Sequence, residues 1–129
     1  MILLDTHVLI WAVADFERLS RRAASEIRRA RRDGGIAVSA ISLWELASLF
    51  AHGRIQAYGT IETSVRLLIE DVTVRPITAE IAALAAQFPP DFPRDPADRL
   101  ISATARAEGL ALITHDENLR RSPLLNTVW

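Results

Sequence analysis

The chain has 129 residues, half of them hydrophobic, and a formal net charge of −1 at pH 7. This length predicts a single domain over residues 1–129 with enough apolar side chains for its own core. Cysteine and lysine are both absent, which excludes disulfides, thiolate chemistry and every mechanism that needs a lysine. No apolar run approaches the roughly 18 residues of a membrane span and no basic leader precedes the first strand, so we expect a soluble, cytoplasmic protein.

The first half of the chain predicts two strands and three helices. The apolar segment 1–5 predicts a buried strand, and Thr6 is placed to cap a helix that extends to about residue 14. Ser20 is placed to cap a second helix, which ends at Asp33 and two glycines. Residues 36–39 then predict a strand, and residues 41–52 predict a helix.

The second half continues the alternation. It predicts a helix over 60–70, a strand over 72–75, a helix over 78–87 and a proline-rich loop over 88–94. Asp95 at the N-cap, Pro96 at N1 and Asp98 at N3 mark the start of a helix that ends at residue 108. A strand over 111–114, a polar turn over 116–121 and an edge strand over 126–129 complete the chain. Such alternation predicts a three-layer α/β domain with a mostly parallel sheet.

Four carboxylates lie just beyond predicted strands or at the start of the neighbouring helices: Asp5, Glu45, Asp98 and Asp116. The carboxyl ends of parallel strands converge on one crevice, so we expect these side chains to meet there. Four like charges in one crevice repel unless a cation neutralises them, and an all-oxygen ligand set favours Mg²⁺ or Mn²⁺ over zinc. We therefore interpret the chain as a metal-dependent phosphodiesterase, with ribonuclease activity as the first hypothesis.

Each acid also has a structural explanation on its own. Asp5 can cap a helix, an isolated helical residue such as Glu45 is usually solvated, and aspartate is common in turns such as that of Asp116. An acid at N3, the position of Asp98, stabilises a helix start by roughly 0.3–1 kcal/mol. We assign Asp95 only the structural role of N-cap for the helix that Asp98 enters. The conjunction of four acids, and no single one, predicts the site.

Other residues give weaker signals. His7, His52 and His115 lack the spacing and cysteine partners of a zinc site. The rim of the crevice is one interpretation of His7 and His115, and a polar surface or loop position is the favoured one. The tryptophans are interpreted as core or interface residues rather than as base-stacking platforms; they are Trp11, Trp44 and Trp129.

Six arginines lie within residues 21–32. Because the net charge gives no overall attraction to nucleic acid, an RNA-binding surface would have to be local, and this cluster is one candidate. The solvated face of a helix explains it equally well. Arg28 and Arg29 are the candidate RNA contacts within it.

Four segments, in order along the whole chain, resemble the signatures of PIN-domain proteins of the VapC toxin type: LLDTHVLIW (3–11), VSAISLWELA (38–47), DPADRLI (95–101) and LITHD (112–116). The resemblance implies helices around a five-stranded parallel sheet and Mg²⁺- or Mn²⁺-dependent endoribonuclease activity. It also implies a toxin of a type II toxin–antitoxin pair that forms a homodimer and is inhibited by a cognate antitoxin, often through an arginine that enters the acidic pocket.

The resemblance also assigns residues. Its acidic positions carry over to the four carboxylates, of which Asp5, Asp98 and Asp116 are expected to hold the metal. Its polar positions carry over to Thr6 and Thr114 as substrate-binding residues. Two departures stand out: Ser48 and Leu49 occupy a position where many relatives have a basic residue that contacts phosphate, and Ala97 stands where phenylalanine is common.

The expected reaction is in-line hydrolysis of an RNA phosphodiester by metal-activated water, with Glu45 orienting the nucleophile. Products with 5′-phosphate and 3′-hydroxyl ends are expected, because no candidate pair recruits the ribose 2′-hydroxyl. Receiver domains and haloacid-dehalogenase phosphatases share this layout of acids, but both need a lysine that this chain lacks. A non-catalytic RNA- or protein-binding module remains the alternative, against which the presence of all four acids argues.

Overall fold

One sheet of five strands runs through the molecule, and a computed structural model describes all residues from 1 to 129. The strands are β1 (Ile2–Leu4), β2 (Ile36–Ser39), β3 (Thr73–Arg75), β4 (Ala111–Ile113) and β5 (Thr127–Val128). They are arranged in the order β3-β2-β1-β4-β5, and all four pairings are parallel. The α/β fold class predicted from the sequence is confirmed, with a sheet that is wholly rather than mostly parallel.

Seven α-helices connect these strands, together with a 3₁₀ turn at Phe16–Arg18 that the sequence did not predict. They are α1 (Thr6–Ala14), α2 (Arg21–Arg32), α3 (Ala40–Ala51), α4 (Ile61–Leu68), α5 (Ala79–Ala86), α6 (Pro96–Glu108) and α7 (Glu117–Arg121). None of them is both long and apolar enough to cross a membrane.

The sheet separates two apolar cores. Alternate residues of a strand point to opposite faces, and accordingly Leu4 joins the core beneath α1 and α2, whereas Leu3 joins the core beneath α5 and α6. Both leucines are fully buried, as is Ile27 of α2 in the first core and Ile101 of α6 in the second. Burial on both faces explains why the central strands are apolar throughout.

Local signals fix the ends of several helices. Ser20 accepts a hydrogen bond from the Ala23 N–H and so caps α2, as predicted. Beyond α2, Gly34 has φ +93°, and a Cβ at this position would lie 2.8 Å from the backbone nitrogen of Met1. Only glycine tolerates both the positive φ and this close approach of the Met1 backbone. The turn at Gly34 therefore lets β2 begin beside the start of β1.

Two local predictions were wrong for a related reason. Asp5, not Thr6, is the N-cap of α1, and Thr6 is instead the buried first residue of that helix. The segment predicted as a polar turn forms the short helix α7, because the Asp116 carboxylate accepts hydrogen bonds from the N–H groups of Asn118 and Leu119. In both places an aspartate between a strand and the next helix is the N-cap of that helix.

Candidate active site

The central strands place the acidic residues at one end of the sheet. Asp5 follows β1, Asp116 lies beyond β4, Glu45 lies in the second turn of α3 after β2, and Asp98 lies in the first turn of α6. The chain passes from β1 to β2 on one side and returns to β4 on the other, so the crevice between β1 and β4 is the switch point at which ligands of such sheets bind.

Thr114 connects two of these acids. Its hydroxyl donates to Oδ2 of Asp5 over 2.7 Å and accepts a hydrogen bond from the Asp116 N–H over 3.1 Å. The other oxygen of Asp5, Oδ1, accepts a hydrogen bond from the Thr6 N–H over 2.8 Å. Asp5 is thereby held in place by hydrogen bonds to both of its oxygens.

Thr6 and Ser42 hold Glu45 in a similar way. The Thr6 hydroxyl donates to Glu45 Oε1 over 2.5 Å and lies 2.8 Å from the Ser42 hydroxyl. Since Thr6 gives its only hydroxyl hydrogen to the carboxylate, Ser42 must donate to Thr6. The resulting chain from Ser42 through Thr6 to Glu45 fixes the orientation of the acid.

These contacts give the threonines a different role from the substrate binding expected of them. Thr6 and Thr114 are both buried, and each donates its hydroxyl hydrogen to a carboxylate. Their hydroxyl groups therefore position the acids. Ser42 was not predicted as a site residue, although its spacing from Glu45 on one helix face was a signal for it.

The charge of the pocket is most evident at Asp98. Its carboxylate accepts no hydrogen bond in the protein, and burial together with the negative charges of Asp5, Asp95, Asp116 and Glu45 raises its pKa from 3.8 to about 7. In solution at neutral pH this side chain is therefore poised between its neutral and ionised forms. A carboxyl so perturbed, within a cleft, is typical of functional sites.

Asp5 and Glu45 show the same effect in weaker form. Burial raises the pKa of both carboxyls, and the hydrogen bonds from Thr114, Thr6 and the backbone oppose the rise. The negative charge of Asp116 also raises the pKa of Asp5, and the negative charge of Asp5 also raises the pKa of Glu45. The pocket thus favours any positive charge that enters it.

The acids do not form a closed ligand set as they stand. No group of three or more acidic or histidine side chains is arranged to hold a metal ion.

Asp95 was predicted to be only the N-cap of α6, and the structure shows that cap. Its Oδ2 accepts a hydrogen bond from the Asp98 N–H over 3.0 Å at the start of this helix.

Aromatic side chains lie on one side of the crevice. His115, between Thr114 and Asp116, has its ring 5.0 Å from that of Trp129 and 5.9 Å from that of Trp11. The ring of His7 lies 6.3 Å from that of Trp11, and both histidines are exposed. The guanidinium of Arg18 stacks 4.6 Å from the Trp11 ring, so aromatic and cationic groups line this rim.

The arginines proposed as RNA contacts lie elsewhere. The Arg28 guanidinium stacks 4.8 Å from the Phe16 ring, and Arg29 pairs with Glu26 at 3.8 Å. The end of α2 lies near the amino ends of the strands. The Gly35 carbonyl, three residues beyond the helix, accepts a hydrogen bond from the N–H of Ile2 at the start of β1. The structure therefore does not bring these two arginines to the carboxylates.

A fold and a site of this kind define a class of protein. The sequence matches the family model of the PIN domain over residues 2–123, and the chain belongs to that family, as its four motifs predicted. It is 44% identical over 130 residues to ribonuclease VapC22 of Mycobacterium tuberculosis, covering 99% of this chain and 98% of that protein.

Solved structures agree with the fold. VapBC2 of Rickettsia felis, bound to a DNA fragment from its promoter, has a TM-score of 0.77 at 18% identity and is matched over 100% of this chain and 99% of that one. VapBC-1 of nontypeable Haemophilus influenzae has a TM-score of 0.74 at 21% identity, over 99% of this chain and 97% of that one.

Proposed function

We propose that this chain is a metal-dependent endoribonuclease of the VapC type, acting as the toxin of a type II toxin–antitoxin pair. The observation that carries the proposal is the pocket of four acids, in which the pKa of Asp98 is raised to about 7. A protein gains nothing in stability from such repulsion, so the arrangement serves a positively charged ligand. The near-full-length relative named as a ribonuclease supports RNA as the substrate.

The donor set fits Mg²⁺ or Mn²⁺. Its members are carboxylate oxygens without sulfur or paired histidines, which hard divalent cations prefer. Asp5, Asp98 and Asp116 would hold the cation, with a change of side-chain orientation since three ligands do not converge as they stand. When bound, the cation supplies Lewis-acid activation of water and screens the phosphate charge from the carboxylates.

The side chains around the acids have defined tasks in this proposal. Thr114 keeps Asp5 oriented, and Thr6 occupies only Oε1 of Glu45. Oε2 of Glu45 is left to accept a hydrogen bond from the attacking water and to orient it in line with the scissile P–O bond. Because this nucleophile is water and not the ribose 2′-hydroxyl, no cyclic phosphate forms. Water bonds to phosphorus as the P–O3′ bond breaks, the 3′-oxygen leaves and takes up a proton, and the products carry 5′-phosphate and 3′-hydroxyl ends.

We also propose a cognate antitoxin and a homodimer. An antitoxin arginine would fit the pocket for the reason that a cation does: a guanidinium pairs with two carboxylate oxygens and compensates the charge that raises the pKa of Asp98. The structures of VapBC complexes from other bacteria make such a partner the natural one to test.

The test is cleavage of end-labelled total RNA by the purified chain with Mn²⁺ or Mg²⁺, alongside lanes with chelator and with Asp98→Asn. We expect discrete fragments with 5′-phosphate and 3′-hydroxyl ends that both control lanes lack. Fragments with 2′,3′-cyclic phosphate ends would contradict the mechanism. Cleavage that persists in both control lanes would contradict the site, and binding of RNA without any cleavage would favour the non-catalytic module.

A further inference from the structure

A cleft next to the acidic pocket is lined, apart from Glu45, by residues that have no role in the chemistry proposed above. It has a volume of about 580 Å³ and is lined by residues of α1, α3 and the turn after α3. Glu45 belongs to its lining, so the cleft and the acidic pocket are continuous. Its other polar and aromatic lining residues are His7, Trp44, Ser48, His52 and Arg54.

The floor of this cleft is one face of α3. Trp44, Ser48 and His52 follow one another at intervals of four residues and therefore lie along the same side of the helix. Trp44 is 67% exposed, so of the two roles predicted for the tryptophans, core or interface, the core role does not apply to it. A large aromatic ring thus stands in solvent directly beside Glu45.

Arg54 reaches the cleft because α3 ends in a Schellman motif. Gly53, at φ +67°, turns the chain back, while the Arg54 N–H donates to the Leu49 carbonyl and the Gly53 N–H donates to the Phe50 carbonyl. The Arg54 guanidinium takes part in no ion pair or hydrogen bond within the protein. The chain therefore presents a free cation in the lining of this cleft.

His52 is oriented toward the same cleft by the helix end. Its Nδ1 lies 2.7 Å from the Ser48 carbonyl oxygen, and since a carbonyl only accepts, Nδ1 carries the hydrogen. In the neutral ring, Nε2 is then an acceptor without a partner in the protein. An aromatic face, a free guanidinium and a free acceptor thus line one cleft.

We propose that this cleft is a nucleotide-binding subsite for single-stranded RNA next to the scissile phosphate, with a base stacked on Trp44 and a backbone phosphate paired with Arg54. The inference rests on the proposed ribonuclease function and extends it to the path of the substrate. Stacking platforms combined with cations along the backbone are the general means of holding single strands, and they tolerate different bases. A protein partner could pair with Arg54 only if it placed an acidic side chain at this point. RNA carries a phosphate at every nucleotide, so it can pair with the guanidinium wherever it lies along the strand.

The experiment measures binding of a fluorescent, random-sequence 12-nucleotide RNA to the full chain in the Asp98→Asn background, in Mn²⁺, by anisotropy. We expect Trp44→Ala to weaken binding by about 5- to 150-fold, the range for loss of one stacked base. Arg54→Gln should weaken binding and reduce the slope of log Kd against log salt by about 0.7, the value for one phosphate contact on a single strand.

A second variant separates stacking from folding. Trp44→Phe keeps an aromatic face, so it should bind within about threefold of the background protein. It should also lose most of the RNA-induced quenching of tryptophan fluorescence, because Trp44 is the tryptophan in the cleft. Tyr58→Ala and Arg66→Gln are matched controls: Tyr58 is 68% exposed outside the cleft and Arg66 pairs with Glu62 on α4. Both controls should bind as the background does.

Two results would overturn the subsite. One is unchanged binding by both Trp44→Ala and Arg54→Gln; if these substitutions, placed in the active chain, also relieve inhibition by a co-expressed antitoxin, the cleft is assigned to a protein. The other is an equal loss in the two control variants. Cleavage of total RNA by the unsubstituted chain is scored separately, so a failure of the ribonuclease proposal is distinguished from a failure of the subsite alone.

Discussion

Replacing Asp98 by asparagine should change the stability of the folded protein, and the two explanations of this residue predict changes of opposite sign. If Asp98 only stabilises the start of α6, its removal destabilises the protein by roughly 0.3–1 kcal/mol. If it is part of a repelling acidic pocket, its removal stabilises the metal-free protein. The raised pKa of about 7 favours the second outcome.

The magnitude follows from linkage between protonation and folding. Between pH 3.8 and about 7 the folded protein holds a proton on Asp98 that the unfolded chain has lost, so the stability of the metal-free protein falls as pH rises through this window. At about 1.4 kcal/mol for each pH unit the full interval corresponds to about 4 kcal/mol. Screening by solvent in the half-open pocket reduces this to about 2 kcal/mol.

The assay is thermal unfolding in chelator at pH 4 and pH 8. Because asparagine cannot ionise and resembles the protonated acid, the two proteins should be about equally stable at pH 4. At pH 8, after subtraction of the helix-dipole loss, Asp98→Asn should be more stable by about 1–2 kcal/mol, or roughly 3–8 °C in Tm for a domain of this size. Mn²⁺ at about one hundred times its Kd should add about 2.7 kcal/mol to the unsubstituted chain and reverse the order.

Glu80→Gln is the matched control, since Glu80 is an exposed acid in the first turn of α5. It should lose a few tenths of a kcal/mol at pH 8 and keep the stabilisation by Mn²⁺ seen in the unsubstituted chain, because its acidic pocket is intact. An Asp98→Asn variant that is less stable than the unsubstituted chain at pH 8, as the control is, would refute the argument that the acids repel one another.

Three further predictions concern the same site. Thr6→Val removes the hydroxyl that links Ser42 to Glu45, so we expect a 10- to 100-fold loss of cleavage rate that Thr6→Ser restores; a valine variant with full activity would rule out the positioning role. Affinity for Mn²⁺, measured by calorimetry, should fall about tenfold for each pH unit below pH 7 as Asp98 takes up its proton, and a flat profile would contradict this. Arg28→Gln with Arg29→Gln should not change the cleavage rate of an eight-nucleotide RNA, because the structure places these arginines away from the carboxylates; a slower rate would restore them as substrate contacts.

The sequence predicted most of what depends on local or periodic signals. Strand–helix alternation indicated the parallel sheet, and the Asp95-Pro96 start of α6 and the Ser20 cap of α2 were identified from residue types alone. The convergence of the four acids followed from topology, since parallel strands align their carboxyl ends.

What the sequence did not provide depends on contacts between distant residues. The roles of Thr6 and Thr114 arise from hydrogen bonds to Glu45 and Asp5, 39 and 109 residues away in sequence. The exposure of Trp44 depends on which face of α3 the neighbouring elements leave uncovered, which helical periodicity cannot decide for an apolar helix. Such facts follow from packing, and only a three-dimensional structure contains them.

The position of the arginine cluster could have been inferred from the sequence. Gly34 and Gly35 lie between α2 and the start of β2, so the last turn of the helix had to lie at the amino end of the sheet. That end is opposite the one where the acids gather.

The hydrogen bond from Thr114 to Asp5 has a consequence for when the protein can act. The acid that follows the first strand is held by a threonine that follows the fourth, and β1 pairs with β4 along its whole length. A nascent chain therefore cannot complete the pocket until residues 111–116 have left the ribosome, and a fragment that stops before them lacks both the hydroxyl that holds Asp5 and the carboxylate of Asp116.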